Sequence, residues 1–208
     1  AIKKAKKKGF DSKKLQALLS RPQQTVNINV PPDEQLSRLL GLYQNGRLSE
    51  AEQLALQLTQ DFPEHHFGWK VLAAVLSQAG RVTDSFMAMQ KSVELAPQDA
   101  EAHYNLGGTL QGLGRLDAAE ESYMRALALK PDFAEAQYNL GNTLKALERL
   151  DEAEVSFRQA IALKPDYAEV HNNLGITLKE LRRLDEAEIS YRKAIALKPD
   201  YAEAHSNL

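Results

Sequence analysis

The sequence predicts an all-α fold, a solenoid of stacked helix-turn-helix pairs. Three observations carry that expectation. A short word returns every 34 residues: HYNLG at 103–107, QYNLG at 137–141, HNNLG at 171–175 and HSNL at 205–208. Each period holds two runs with apolar residues at helical spacing, such as Leu140, Leu144 and Leu147, then Ala153, Phe157, Ala160 and Ile161. Each period also closes on proline, at Pro63, Pro97, Pro131, Pro165 and Pro199, and proline cannot continue a helix interior. A unit this short cannot bury its own apolar face, so neighbours must stack and share one core.

The elements follow in order. Residues 1–31 read as a basic N-terminal arm and linker. Within them, 12–20 (SKKLQALLS) has Leu15, Leu18 and Leu19 on one helical face, and VNINV at 26–30 reads as an extended linker among prolines. Residues 32–65 fit the period through Gly46, Ala51, Ala55 and Pro63, with Leu36, Leu39, Leu40 and Tyr43 off the usual register. This is a divergent first repeat, expected to cap the array. Four repeats follow at 66–99, 100–133, 134–167 and 168–201, and 202–208 begins a further, truncated one. Capping boxes are expected to open the first helices at Asp132–Glu135, Asp166–Glu169 and Asp200–Glu203. Others are expected to open the second helices at Ser49–Glu52, Asp117–Glu120, Asp151–Glu154 and Asp185–Glu188.

Composition narrows the function classes. The chain has 208 residues, 43% hydrophobic and 26% charged, as in folded soluble proteins. No apolar run reaches bilayer length, so no membrane span is expected. There is no cysteine, which removes thiol chemistry and Cys-ligated metals and leans the compartment towards the cytoplasm. Residues 1–21 carry a net charge of +7 and the remainder −9. An acidic body is a poor nucleic-acid surface, so no nucleic-acid partner is expected.

The repeats resemble the tetratricopeptide repeat, which has a 34-residue period with Trp, Leu, Gly and Tyr on its first helix, Ala and Phe on its second, and a closing Pro. Those positions here begin with Trp69, Leu72, Ala73, Leu76, Ser85, Met89 and Pro97. They continue as His103, Leu106, Gly107, Leu110, Ala119, Tyr123 and Pro131, then Gln137, Leu140, Gly141, Leu144, Ala153, Phe157 and Pro165. The last set is His171, Leu174, Gly175, Leu178, Ala187, Tyr191 and Pro199. The small Gly and Ala positions are expected to let paired helices approach closely.

One recurring residue is not explained by packing. Asparagine is a poor helix former, yet it returns at Asn105, Asn139, Asn173 and Asn207. A helix turns about 100° per residue. With repeat positions 4, 7, 8 and 11 forming the core face, position 6 falls on the far side. The resemblance implies that this side lines the concave surface of a right-handed superhelix. The candidate partner-binding residues there are the Asn column, Tyr104 and Tyr138, Asn142, Lys145 and Lys179, and the glutamates Glu101, Glu135 and Glu169. An amide pairs an acceptor with donors, matching a peptide backbone whatever its side chains. The column is similar to the Asn ladder of the tetratricopeptide arm of O-linked N-acetylglucosamine transferases. Inheritance by duplication is the rival explanation, since residues 134–167 and 168–201 differ at only 9 of 34 positions. So is an amide that simply bonds a neighbouring helix.

No catalytic constellation and no metal site is expected. His103, His171 and His205 lie one repeat apart, too far for shared ligation, and read as packing. The Glu column has no nucleophile or phosphate loop beside it. Phe133, Tyr167 and Tyr201 read as inter-repeat packing. No cofactor is expected. The expected partner is a protein or an extended peptide, with self-association through repeat ends or the basic arm as a further expectation. The second functional expectation is a substrate-recognition arm of a larger glycosyltransferase or sulfotransferase, as in similar bacterial arrays, with catalysis beyond Leu208.

Overall fold

Apolar residues three and four apart, bounded by glycine and proline, produce short helices joined by tight turns. The computed structural model describes residues 30–208. The expectations for the basic arm, for 12–20 and for VNINV therefore lie outside the described residues, apart from Val30. Among those described there are eleven helices and no strand, in two units treated separately, residues 30–97 and residues 98–208.

The first unit contains α1 (Asp33–Gln44), α2 (Leu48–Asp61), α3 (His66–Gln78) and α4 (Val82–Leu95). Consecutive helices pack on one another. The core holds Leu39, Leu58, Trp69, Leu72, Leu76 and Met89, each at most 2% exposed. Of the off-register leucines in α1, Leu39 is buried and Leu40 is 40% exposed. Trp69 also uses its polar edge: its indole N–H donates to the Pro63 carbonyl at 2.8 Å.

The second unit contains α5 (Ala100–Gly112), α6 (Leu116–Leu129), α7 (Ala134–Ala146), α8 (Leu150–Leu163), α9 (Ala168–Glu180), α10 (Leu184–Leu197) and α11 (Ala202–Asn207). The same pairing recurs: α5 with α6, α7 with α8, α9 with α10. This is the helix-pair stacking of an α-solenoid. Tyr123, Phe157 and Tyr191 fill the pairs, each at most 2% exposed. Their rings lie over Gly107, Gly141 and Gly175. A Cβ added to these glycines would sit 2.5–2.7 Å from the nearest ring carbons, which no side chain tolerates. The small position is thus required by the aromatic facing it.

Position 4 of the first helix has a job of its own. His171 Nε2 lies 3.0 Å from the Pro165 carbonyl and His205 Nε2 lies 2.8 Å from that of Pro199. Trp69 does the same with Pro63, so a ring N–H donor at this position ties α3, α9 and α11 each to the turn before it. Burial holds His171 below its ordinary pKa range. The neutral ring then carries its proton on Nε2, where the carbonyl accepts it.

The capping boxes do not form as expected. The second helices start from Arg47, Arg81, Arg115, Arg149 and Arg183, with no side-chain cap bond. Asp117, Asp151 and Asp185 are already inside the first turn, where their charge complements the helix N-terminus. The first helices α7, α9 and α11 start from Phe133, Tyr167 and Tyr201, again without a side-chain cap. The register is off by one residue, because an aromatic stands where the cap belongs. Asp99 occupies that position in its own repeat, and there the Asp does cap, accepting from the backbone N–H groups of Glu101 and Ala102.

The intra-pair turns use one left-handed residue each. Gly46, Gly80 and Gly114 have φ of 70°, 73° and 71°, and the matching positions are Glu148 and Arg182 at 62° and 64°. The following backbone N–H closes each turn on the carbonyl five residues back, as in Arg149 to Leu144 and Arg183 to Leu178. A side chain in this region costs about 1–2 kcal/mol, partly offset by the unfolded-state entropy of glycine. Glu148→Gly and Arg182→Gly are each expected to raise stability by about 0.5–1 kcal/mol. Urea midpoints check this; a lowered midpoint in both would show that the side chains contribute more than the backbone loses.

Candidate functional site: the asparagine column

The face away from the helix-pair core in α5, α7, α9 and α11 carries the candidate residues. Asn105, Asn139, Asn173 and Asn207 are all partly exposed. The amide nitrogens of Asn139, Asn173 and Asn207 are committed within the fold. Asn139 donates to the Tyr104 hydroxyl at 3.1 Å, and Asn173 donates to that of Tyr138 at 3.2 Å. In each pair the Tyr lies 35 residues earlier, on the preceding first helix. Where Asn172 replaces Tyr at that position, Asn207 donates to its carbonyl oxygen at 3.0 Å. Asn173 also donates to Asn142 Oδ1 at 2.8 Å, which draws in a further candidate. The column therefore fastens successive first helices together, as the neighbouring-helix explanation requires.

Each tyrosine is placed by a second aromatic. Tyr104 packs against Phe133 at a centroid distance of 4.7 Å, and Tyr138 against Tyr167 at 5.2 Å. These are the residues standing at the cap position, so the lost caps are exchanged for ring contacts. Lys130, Lys164 and Lys198 place their ammonium groups 4.6–5.1 Å from the centroids of Phe133, Tyr167 and Tyr201, within cation–π range. Lys164 also lies 3.7 Å from Glu135, and Lys198 lies 3.7 Å from Glu169. Two glutamates of the column thus meet lysines rather than capping their helices. Burial, then the fields of Tyr138 and Glu135, pushes the Tyr167 phenol up to about 12. Burial also raises Tyr104, opposed by the Asn139 hydrogen bond. Both rings stay protonated donors at neutral pH.

The remaining candidates lie on the same first helices without forming one cluster. Glu101 is exposed in the first turn of α5. Lys145 and Lys179 fall in the last turns of α7 and α9, where a positive charge complements the helix C-terminus. Among the described residues no group of three or more His, Asp or Glu side chains could hold a metal ion. None of the described helices is long and apolar enough to cross a membrane.

An arginine column escaped the sequence reading. Arg81 bonds Glu52 of the preceding repeat at 2.7 Å and its own Asp84 at 2.9 Å. Arg149 bonds Glu120 at 2.6 Å and Glu152 at 2.6 Å. Arg183 likewise bonds Glu154 and Glu186. Glu52, Glu120 and Glu154 were expected to cap their own helices; they reach forward to the next repeat instead. The guanidinium groups hold Glu152 and Glu186 below the usual carboxylate range. The available signal was the invariant 29-residue spacing from each Glu to the following Arg.

Comparison with known proteins agrees with this geometry. Tetratricopeptide repeat family models match residues 37–100, 88–121 and 132–200, and a TPR repeat model matches 112–148. No curated protein sequence matches. Among solved structures, the crystal structure of MamA is similar with a TM-score of 0.72 at 23% identity, covering 78% of this chain and 95% of that one. YrrB, described as a TPR protein with an unusual peptide-binding site, is similar with a TM-score of 0.72 at 20% identity, covering 83% and 89%. MamA from Desulfovibrio magneticus RS-1 gives 0.74 at 18% identity, covering 82% and 96%. At these identities the likeness is one of fold. The four matches run with overlap from residue 37 to residue 200, through the helix pairs described above, and the chain belongs to the tetratricopeptide repeat family.

Proposed function

We propose that the chain is a protein-interaction module that takes an extended peptide along the asparagine face of residues 100–207. The observation that carries this reading is the fixed orientation of the amides. Asn139 and Asn173 are held through their nitrogens by Tyr104 and Tyr138. An amide held that way keeps its carbonyl oxygen as an acceptor; that of Asn173 takes one long bond from Asn172 at 3.4 Å and keeps its second lone pair. A row of acceptors one repeat apart suits the N–H groups of an extended chain more than its carbonyls. This refines the expectation of a donor–acceptor pair at every rung. Tyr104, Tyr138, Asn142, Lys145 and Lys179 would supply side-chain selectivity, and Glu101, Glu135 and Glu169 an acidic edge. YrrB supports the class of activity through its described peptide-binding site. No feature of the described residues favours the transferase-arm expectation over a stand-alone module.

A peptide selected by the wild-type chain from a random displayed library provides the test. Asn105→Ala, Asn139→Ala and Asn173→Ala combined should weaken it at least about tenfold, since each hydrogen bond nets about 0.5–1.5 kcal/mol. The control is Tyr104→Phe with Tyr138→Phe, which removes the two Tyr–Asn inter-repeat bonds while keeping the amides. Unchanged affinity in the triple variant, folded by circular dichroism, defeats the reading.

A further inference from the structure

Repeat position 24 holds Tyr123, Phe157 and Tyr191, and the three rings meet their facing glycines in nearly the same way. Phe157 shows that the ring seats without a hydroxyl. The Tyr123 hydroxyl has a partner, donating to Gln111 Oε1 at 3.0 Å. At the position of Gln111, the repeat of Tyr191 has Lys179, which has donors and no acceptor. The Tyr191 hydroxyl is consequently buried with no hydrogen-bond partner, and the residue is only 2% exposed. A buried hydroxyl left unbonded costs stability that phenylalanine would not.

Tyr191 lines an open recess on the asparagine face, together with Ile176, Lys179, Glu180, Arg182 and Asn207, with its hydroxyl covered beneath the surface. The recess carries two cationic side chains and one anionic one. Tyr191 and Lys179 sit on facing helices, α10 and α9. We infer that Tyr191 and Lys179 form a carboxylate subsite of the peptide groove, which takes an acidic side chain of the bound peptide. One carboxylate oxygen accepts from the Tyr191 hydroxyl and the other meets the Lys179 ammonium. Such charge-assisted bonds are stronger than neutral ones. Ile176 supplies the apolar wall, and a lining side chain must rotate for the oxygen to reach the covered hydroxyl. Burial, followed by the field of Glu180, holds the Tyr191 phenol above its ordinary range, so it remains a donor at neutral pH. Glu180 is the one anionic residue lining the recess and repels such a ligand there. The inference rests on a peptide occupying this face, as proposed above.

Calorimetric titration of the full chain with two capped peptides tests it, one of alternating Gly and Asp, the other of alternating Gly and Asn. The wild type should prefer the Asp peptide by about tenfold. Tyr191→Phe and Lys179→Met should each erase most of that preference while leaving affinity for the Asn peptide unchanged. Glu180→Gln should strengthen the Asp peptide. Tyr191→Phe should also leave the urea midpoint unchanged or raise it, because the hydroxyl has no partner in the fold. No preference in the wild type, no binding of either peptide, an undiminished preference in Tyr191→Phe, or a lowered midpoint in that variant overturns the subsite. The groove reading fails separately: the triple Asn variant would then bind both peptides as the wild type does, whatever Tyr191→Phe shows.

Discussion

Phe157→Ala is expected to lower stability by about 3–5 kcal/mol, the largest single loss in the second unit. The ring is fully buried between α7 and α8. What makes the loss large is the residue opposite. Gly141 has no side chain to move into the vacated space, and α7 is held on both sides. Towards α9, Tyr138 is fastened to Asn173; towards α5, Asn139 is fastened to Tyr104. A cavity that cannot collapse costs both transfer energy and contacts. In a stacked array a weakened pair also weakens the interfaces on either side. Urea unfolding by circular dichroism checks this. A loss below about 1.5 kcal/mol would show that the two helices close over the gap, outside the range for trapped cavities.

Gly141→Ala should produce the second-largest effect, and against intrinsic preference. Alanine in a helix interior gains about 1 kcal/mol over glycine. Here the new methyl would sit 2.6 Å, 2.7 Å and 3.0 Å from three Phe157 ring carbons, and the buried ring has nowhere to go. A net loss of about 1–3 kcal/mol follows from the overpacking. Gly108→Ala is the internal contrast. Its Cβ would meet only the Tyr123 hydroxyl, at 3.7 Å, which is ordinary contact. That substitution should therefore stabilise by up to about 1 kcal/mol. Opposite signs for one chemical change in two neighbouring repeats would tie the effect to the facing ring. Equal signs would refute it.

The sequence made the helix pairs legible because their signals are local and repeated. Leu140 and Leu144 lie at helical spacing in one run, Ala153 and Phe157 in the next, and all four are buried. The position of the Asn column was legible by the same arithmetic, since a helical wheel shows which residues leave the core. Its partners were not. Asn139 meets Tyr104 across a repeat junction, and that geometry depends on how pairs stack, which no single helix encodes. The capping error has a different cause. Asp132, Asp166 and Asp200 match a local capping pattern, yet the chain gives the cap position to Phe133, Tyr167 and Tyr201. Tertiary ring contacts there outweigh a local hydrogen bond. Asp99, one residue later in its repeat, shows that the local rule holds when no aromatic competes.

The junction bonds follow a fixed offset, and that offset makes repeat number a free variable. Asn donates 35 residues back and Arg reaches Glu 29 residues back, at more than one junction. Excising residues 134–167 would bring Tyr104 opposite Asn173 and Glu120 opposite Arg183, the same chemical pairs in the same frame. Every seam is then interchangeable with every other that carries these residues. Recombination between near-identical segments can lengthen or shorten such an array by whole repeats without leaving a mismatched joint. The column that pins one helix to the next is also what lets the gene stretch.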